Sequence, residues 1–238
     1  MVQFVNSVHF DLVTAVNLVY SVNFEFSRGM RLTLLLSQYK INCENYKRWL
    51  CLFYRWFCHF DDDNYVNVPA LVNKLSHFDH NSEWYLGKPS IPNPLEVVTK
   101  NDKKKVSFWF ATGGAGFCLS RPLVERMRNL VENGELQATG ENIRLPDDVT
   151  VGYIVEHKMG VPLTVVRSFH SHLEPLRLIP ESSMADQISF GYASPPSTSQ
   201  QSNHIAIRGL SELEDPTRFI SLHCYLFPRS LNICPKEL

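Results

Sequence analysis

Apolar positions alternate with polar ones over Val19–Phe26, the spacing of a half-buried strand. Arg48–Tyr54 fits a helix or an extended segment equally well. Beyond it the pattern turns to alternating strands and helices. Arg55–Phe60 is a short apolar run that suits a buried strand, and it stops at Asp61-Asp62-Asp63. Pro69 falls where a first helical turn would begin, with Ala70, Leu71, Val72 and Leu75 following at helical spacing. Trp84–Leu86 reads as a strand and Lys88–Asn93 as a proline-punctuated loop. Lys100–Lys105 is a basic turn leading into a strand over Val106–Phe110.

The second half continues in the same manner. A small-residue loop covers Ala111–Gly116, and Ser120 is placed to cap a helix running through Val131. Leu136–Asn142 is expected as a loop. Thr150 would cap a helix over Val151–Lys158 that stops at Gly160. Pro162–Val166 and Arg218–Phe227 read as strands, and Ser194–Asn203 as a low-complexity surface loop. The class is α/β, in two parts: an atypical segment over residues 1–55 without a usable motif, and a second part over residues 56–238.

Composition narrows the function. A 44% hydrophobic, 20% charged chain of 238 residues can bury a core. Its net charge of -1 argues against nucleic-acid binding, which needs a basic face. Six cysteines allow three bridges but carry no CxxC pair, so pairing and redox compartment stay open at this level. No apolar run approaches the ~20 residues that span a bilayer, and no early basic cluster marks a signal peptide.

Four segments carry chemistry. In Cys58–Val66 the acidic triplet follows a strand, where open α/β sheets bind ligands. Asp61 and Asp63 fit a D-x-D pattern, whose hard oxygens suit Mn²⁺ or Mg²⁺ bridging a nucleotide diphosphate. A solvated acidic turn is the plainer alternative. In Phe108–Cys118, Gly113 and Gly114 would let backbone approach a ligand, with aromatics as walls; a tight turn would look the same. In Leu145–Thr150 either Asp147 or Asp148 would cap a helix or act as a general base. In Phe169–His172, His170 and His172 would face one way on an extended strand, and one could complete a metal site.

Taken together, Trp56–Val66, Phe108–Cys118, Arg144–Thr150 and Phe169–Glu174, with Ser221–Cys224 and Phe227-Pro228, closely resemble the Fringe glycosyltransferases, invertebrate members above all. The resemblance runs from Trp56 to Cys234, leaving residues 1–55 unmatched. It implies a nucleotide-sugar transferase fold of the GT-A type with an open central sheet, incomplete at the N-terminal donor-binding strands. It implies an inverting, Mn²⁺-dependent enzyme that moves N-acetylglucosamine from UDP-GlcNAc in β1,3 linkage to O-linked fucose on EGF-like repeats of Notch-type receptors. The expected location is the Golgi lumen, by family as a type II membrane protein.

Carried over by motif, Asp63 and His172 would bind metal, Asp62 the donor, and Asp148 would be the catalytic base, with Asp61, Gly113 and Gly114 as further site residues. The family's bridges would fall at Cys58–Cys118 and Cys224–Cys234. Two alternatives stand beside this reading. One is a Fringe-like protein that binds acceptor glycoprotein without turnover, and the other is a related β1,3-galactosyl- or chondroitin-type transferase.

Overall fold

The computed structural model describes residues 19–26, 30–37, 55–89, 91–98, 103–192, 204–228 and 234. Arg48–Tyr54, Ser194–Asn203 and the first half of the Lys100–Lys105 turn lie outside these residues.

The centre is a four-stranded mixed sheet. It is built from β3 (Trp56–His59), β5 (Tyr85–Gly87), β8 (Phe117–Ser120) and β9 (Leu163–Val165). The order is β3-β8-β5-β9, with the first two pairings antiparallel and the last parallel. Ahead of it, β1 (Val19–Phe26) and β2 (Met30–Ser37) form an antiparallel hairpin, and β2 lies alongside β3. Two small antiparallel pairs complete the strands. One joins β4 (Asn64–Val66) to β10 (Ser189–Gly191), and the other joins β6 (Leu95–Val98) to β7 (Lys105–Phe108).

The central strands are buried on both faces, and their side chains divide by the two-residue period of a strand. Cys58, Leu86 and Cys118 point to one side and pack with Leu71 and Leu75 of α1 (Val68–Leu75). Tyr85, Phe117 and Leu119 point to the other. There they meet Leu123 and Met127 of α2 (Arg121–Glu132) and Val151 and Val155 of the helix that starts with α4 (Asp147–Gly152). Each such apolar side chain taken fully out of water contributes ~1.5–3 kcal/mol. Helices thus cover both faces of a mixed sheet, the α/β layering expected from the pattern.

α1 begins where the sequence placed it. The Asn67 side chain accepts the Ala70 N–H, and Pro69 sits in the first turn, where a missing N–H costs nothing. Three expectations are corrected. Leu136–Asn142 is not a loop but lies within α3 (Glu135–Ile143), because Leu136 is buried against Phe108, Phe110 and Tyr153. The helix assigned to Val151–Lys158 begins earlier, at Asp147, so Thr150 is not its cap; it continues as a widened π-helical turn through Tyr153–Lys158. Gly160 follows with φ +70 as the stop. Arg218–Phe227 is not a strand, since Phe219–Leu226 forms α5. The buried Asp215 carboxylate accepts the Ile220 and Ser221 N–H groups there and so caps the first turn.

Candidate active site

β3 delivers the acids. Beyond it the chain turns through Asp61–Asp63, closed by the Asn64 N–H donating to the Asp61 carbonyl at 3.2 Å. Asp61 is held from behind, with Oδ1 3.0 Å from Nε2 of His59, a buried ring tilted against Phe117. Asp62 at the tip is exposed. Asp63 is half-buried; its side chain accepts from Asn64 at 3.1 Å and its carbonyl accepts the Tyr192 N–H at 2.9 Å.

The glycine-rich segment forms a single 3₁₀ turn at Gly113–Ala115, buried throughout, and its two glycines face different groups. A β-carbon at Gly113 would stand 3.6 Å from Asp148 Cβ, 3.6 Å from His59 Nε2 and 3.8 Å from Asp61 Oδ2. One at Gly114 would stand 3.2 Å from His172 Cε1 and 3.3 Å from Nδ1. The turn therefore places Asp148 and Asp61 on one side and His172 on the other.

Asp148 both caps and faces the site. Oδ1 accepts the Val149 N–H at 2.8 Å at the start of α4, and Oδ2 accepts the Gly113 N–H at 3.0 Å. Burial pushes its pKa up and outweighs these two hydrogen bonds, which pull it down; Asp147 and Asp61 add a smaller push upward. Asp147 is exposed and caps only the Asp148 N–H, at 2.9 Å.

The two histidines do not share a strand face, because Phe169–Glu174 is irregular backbone. His170 Nδ1 lies 3.1 Å from Glu174 Oε2, and Nε2 lies 2.9 Å from Gln187 Oε1. Glu174 is buried against its charge, yet His170, Lys88 and the Ser171 N–H together bring its pKa down to about 2. His172 instead points at the acids, with Nδ1 3.4 Å from Asp63 Oδ2. That nitrogen is buried and makes no hydrogen bond. Burial raises the Asp63 pKa, with His172 opposing and Asp61 and Asp62 reinforcing the rise.

An unpaired buried imidazole nitrogen beside a carboxylate suits a divalent cation. Two neighbouring donors on one octahedral ion, each at about 2.1 Å, stand roughly 3 Å apart. No set of three or more His, Cys, Asp or Glu side chains fit for a metal occurs among the described residues. Two protein donors are nonetheless the mode of cations that also bind substrate phosphates and water.

His59, Lys88 and Glu174 have no role assigned by the sequence motifs. The only signal for His59 was its position in a buried strand two residues before an acid.

Bridges join Cys58 to Cys118 and Cys224 to Cys234. The first links facing residues of β3 and β8, tying the acid-bearing strand to the strand that leaves the glycine turn. The Fringe-like family model matches residues 23–230, starting within the segment that offered no motif. The chain belongs to the Fringe family. It is 53% identical over 76% of its length to "Fringe glycosyltransferase" of Drosophila melanogaster, covering 44% of that protein. It is 44% identical over 84% of its length to "Beta-1,3-N-acetylglucosaminyltransferase lunatic fringe" of Bos taurus, and 43% identical over 84% to the Homo sapiens protein of the same name, covering 54% of each. The chain thus spans about half the length of the curated relatives it matches. The higher identity to the fly protein agrees with the invertebrate leaning of the Fringe motifs. Among the described residues, no helix is long and apolar enough to cross a membrane.

Proposed function

We propose that this Fringe-family chain carries the diphosphate and acceptor side of an inverting β1,3-N-acetylglucosaminyltransferase. Its donor would be UDP-GlcNAc, and its acceptor O-linked fucose on EGF-like repeats of Notch-type receptors. The fold would be of the GT-A type, the cation Mn²⁺, and the location the Golgi lumen. One observation carries the reading: a three-residue turn, Gly113–Ala115, separates the Asp148 carboxylate from the His172–Asp63 pair by the width of two glycines. Names of the relatives supply the reaction class, and the two bridges favour an oxidising compartment.

In this reading Asp63 and His172 hold the cation and Asp62, free at the tip of the turn, contacts the donor. When bound, the cation offsets the charge of the departing diphosphate. Asp148 takes the proton of the fucose 3-hydroxyl. Each of its oxygens already accepts one N–H, which leaves lone pairs for that proton, and burial strengthens it as a base. The deprotonated oxygen attacks the anomeric carbon opposite the leaving group. The glycosyl–phosphate bond breaks with its electrons on the diphosphate, and the anomeric centre inverts. Gly113 and Gly114 keep this space free of side chains.

The test is transfer of labelled N-acetylglucosamine to an O-fucosylated EGF-like repeat by the full chain, with and without Mn²⁺, beside UDP–Mn²⁺ calorimetry. Support requires a β1,3 product that EDTA abolishes, and binding that Asp63→Asn weakens. Efficient transfer to an unfucosylated repeat, or turnover untouched by EDTA, would exclude the proposal.

A further inference from the structure

His172 does not sit on a strand or helix, so something else must fix its ring. It stands in a tight turn over Ser171–Glu174, closed by the Glu174 N–H donating to the Ser171 carbonyl at 3.2 Å. The Glu174 side chain folds back over the same turn. Oε1 accepts the Ser171 N–H at 3.1 Å, and Oε2 lies 3.1 Å from His170 Nδ1. The Lys88 ammonium donates to that same Oε2. This pair is sheltered, with 23% and 27% of the two side chains exposed.

Lys88 follows β5 and is itself anchored to the other half of the site. Its carbonyl accepts the Thr112 N–H at 3.0 Å, immediately before the glycine turn. Gly114 and Gly191 then close on the histidine from the opposite side: β-carbons there would stand 3.2 Å from His172 Cε1 and 2.6 Å from its backbone nitrogen. One residue thus holds the glycine turn by its backbone and the histidine turn by its side chain.

We propose that Lys88 is a positioning residue for His172, acting through Glu174, and that it sets how well the His172–Asp63 pair holds a divalent cation. The proposal rests on the reading of His172 and Asp63 as the cation's ligands. Groups that orient a metal-binding histidine typically govern affinity by 10–100-fold. The sign of the effect separates positioning from electrostatics. Removing a cationic side chain near a cation site relieves repulsion, so charge alone would make Mn²⁺ bind more tightly. Loss of orientation makes it bind more weakly.

The experiment titrates Mn²⁺, without nucleotide, into the full chain and follows free Mn²⁺ by EPR, with thermal unfolding in parallel. The variants are Lys88→Met, Glu174→Gln, their double and His172→Ala. The expected result is a roughly 10-fold weaker Kd for Lys88→Met at a temperature well below its Tm, where the variant is still folded. The double variant should be no weaker than Glu174→Gln alone, because the two residues act in series. Unchanged or tighter binding by Lys88→Met overturns the proposal, as do losses that add in the double variant. A Kd that rises only at temperatures where the variant has begun to unfold overturns it as well. If His172→Ala leaves Mn²⁺ affinity intact, the ligand assignment itself fails and the proposal with it. If His172→Ala abolishes binding while Lys88→Met does nothing, the assignment stands and only the positioning role is lost.

Discussion

Gly191 lies against the backbone of His172 so closely that a β-carbon at position 191 would stand 2.6 Å from the His172 nitrogen. It would also stand 2.8 Å from the Gly114 carbonyl oxygen. Both neighbours are main chain and cannot swing aside, so the strand β10, the glycine turn and the histidine turn meet with no space between them. Gly191→Ala must push the three apart. The expected cost is ~1–3 kcal/mol, the usual range for overpacking a filled interior. Urea unfolding measures it. A midpoint equal to the parent's would mean that the three segments are not in contact.

The Cys58–Cys118 bridge closes a stretch of 60 residues that contains α1, β5, β6, β7 and the glycine turn. On the chain-entropy account a loop of that length is worth about 4 kcal/mol, against roughly 3 kcal/mol for the 10-residue separation of Cys224 and Cys234. Cys58→Ala with Cys118→Ala should therefore destabilise more than removal of the C-terminal bridge. Denaturation of both variants beside the parent, with peptide mapping of unreduced protein, tests the order. Free thiols at Cys58, Cys118, Cys224 and Cys234 alike would remove the basis for an oxidising compartment.

What could be read beforehand divides along physical lines. β3 and the Asp61–Asp63 turn were legible because an apolar run that ends abruptly in acids has few other uses in a sheet. α1 was legible from a cap and a proline. β8 was hidden: its four residues follow a glycine-rich run, and only the partners on either side, β3 and β5, explain why they extend. α3 was hidden for the opposite reason. Thr139, Gly140 and Asn142 are poor helix formers, and burial of Leu136 overrides them. In α5 the aromatic and β-branched residues suggested a strand, while the deciding residue, Asp215, lies outside the helix and caps it through its side chain.

The site followed the same division. Its residue types could be named from motifs. That Asp63 and His172 meet was implied by the Fringe resemblance alone, and that His170 turns away to Glu174 and Gln187 was not implied at all; both depend on irregular backbone with no periodic signature.

Asp148 is under opposing demands, and pH separates them. Its folded pKa is raised above the ordinary 3.8, by burial foremost. The fold therefore favours the neutral acid, whereas the proposed role as base requires the anion. For stability, the contribution is fully present below pH 3.8 and is lost as pH rises through the raised folded value. Other titrating groups cancel when the parent is compared with Asp148→Asn, so the parent should gain stability on the variant as pH falls through that window. Urea unfolding at successive pH values measures the gain. For activity the sign reverses. kcat/KM for transfer to an O-fucosylated EGF-like repeat should fall on the acid side at a pH above 3.8, as Asp148 takes a proton it cannot then accept from the acceptor. Asp148→Asn should lose ~10²–10⁴-fold in rate at neutral pH while Mn²⁺ and UDP still bind. A stability difference flat with pH would mean that the folded pKa of Asp148 is not raised, and a variant that keeps parental turnover would place the base at another carboxylate. Asp61 is the nearest candidate, since it shares with Asp148 the space beside Gly113.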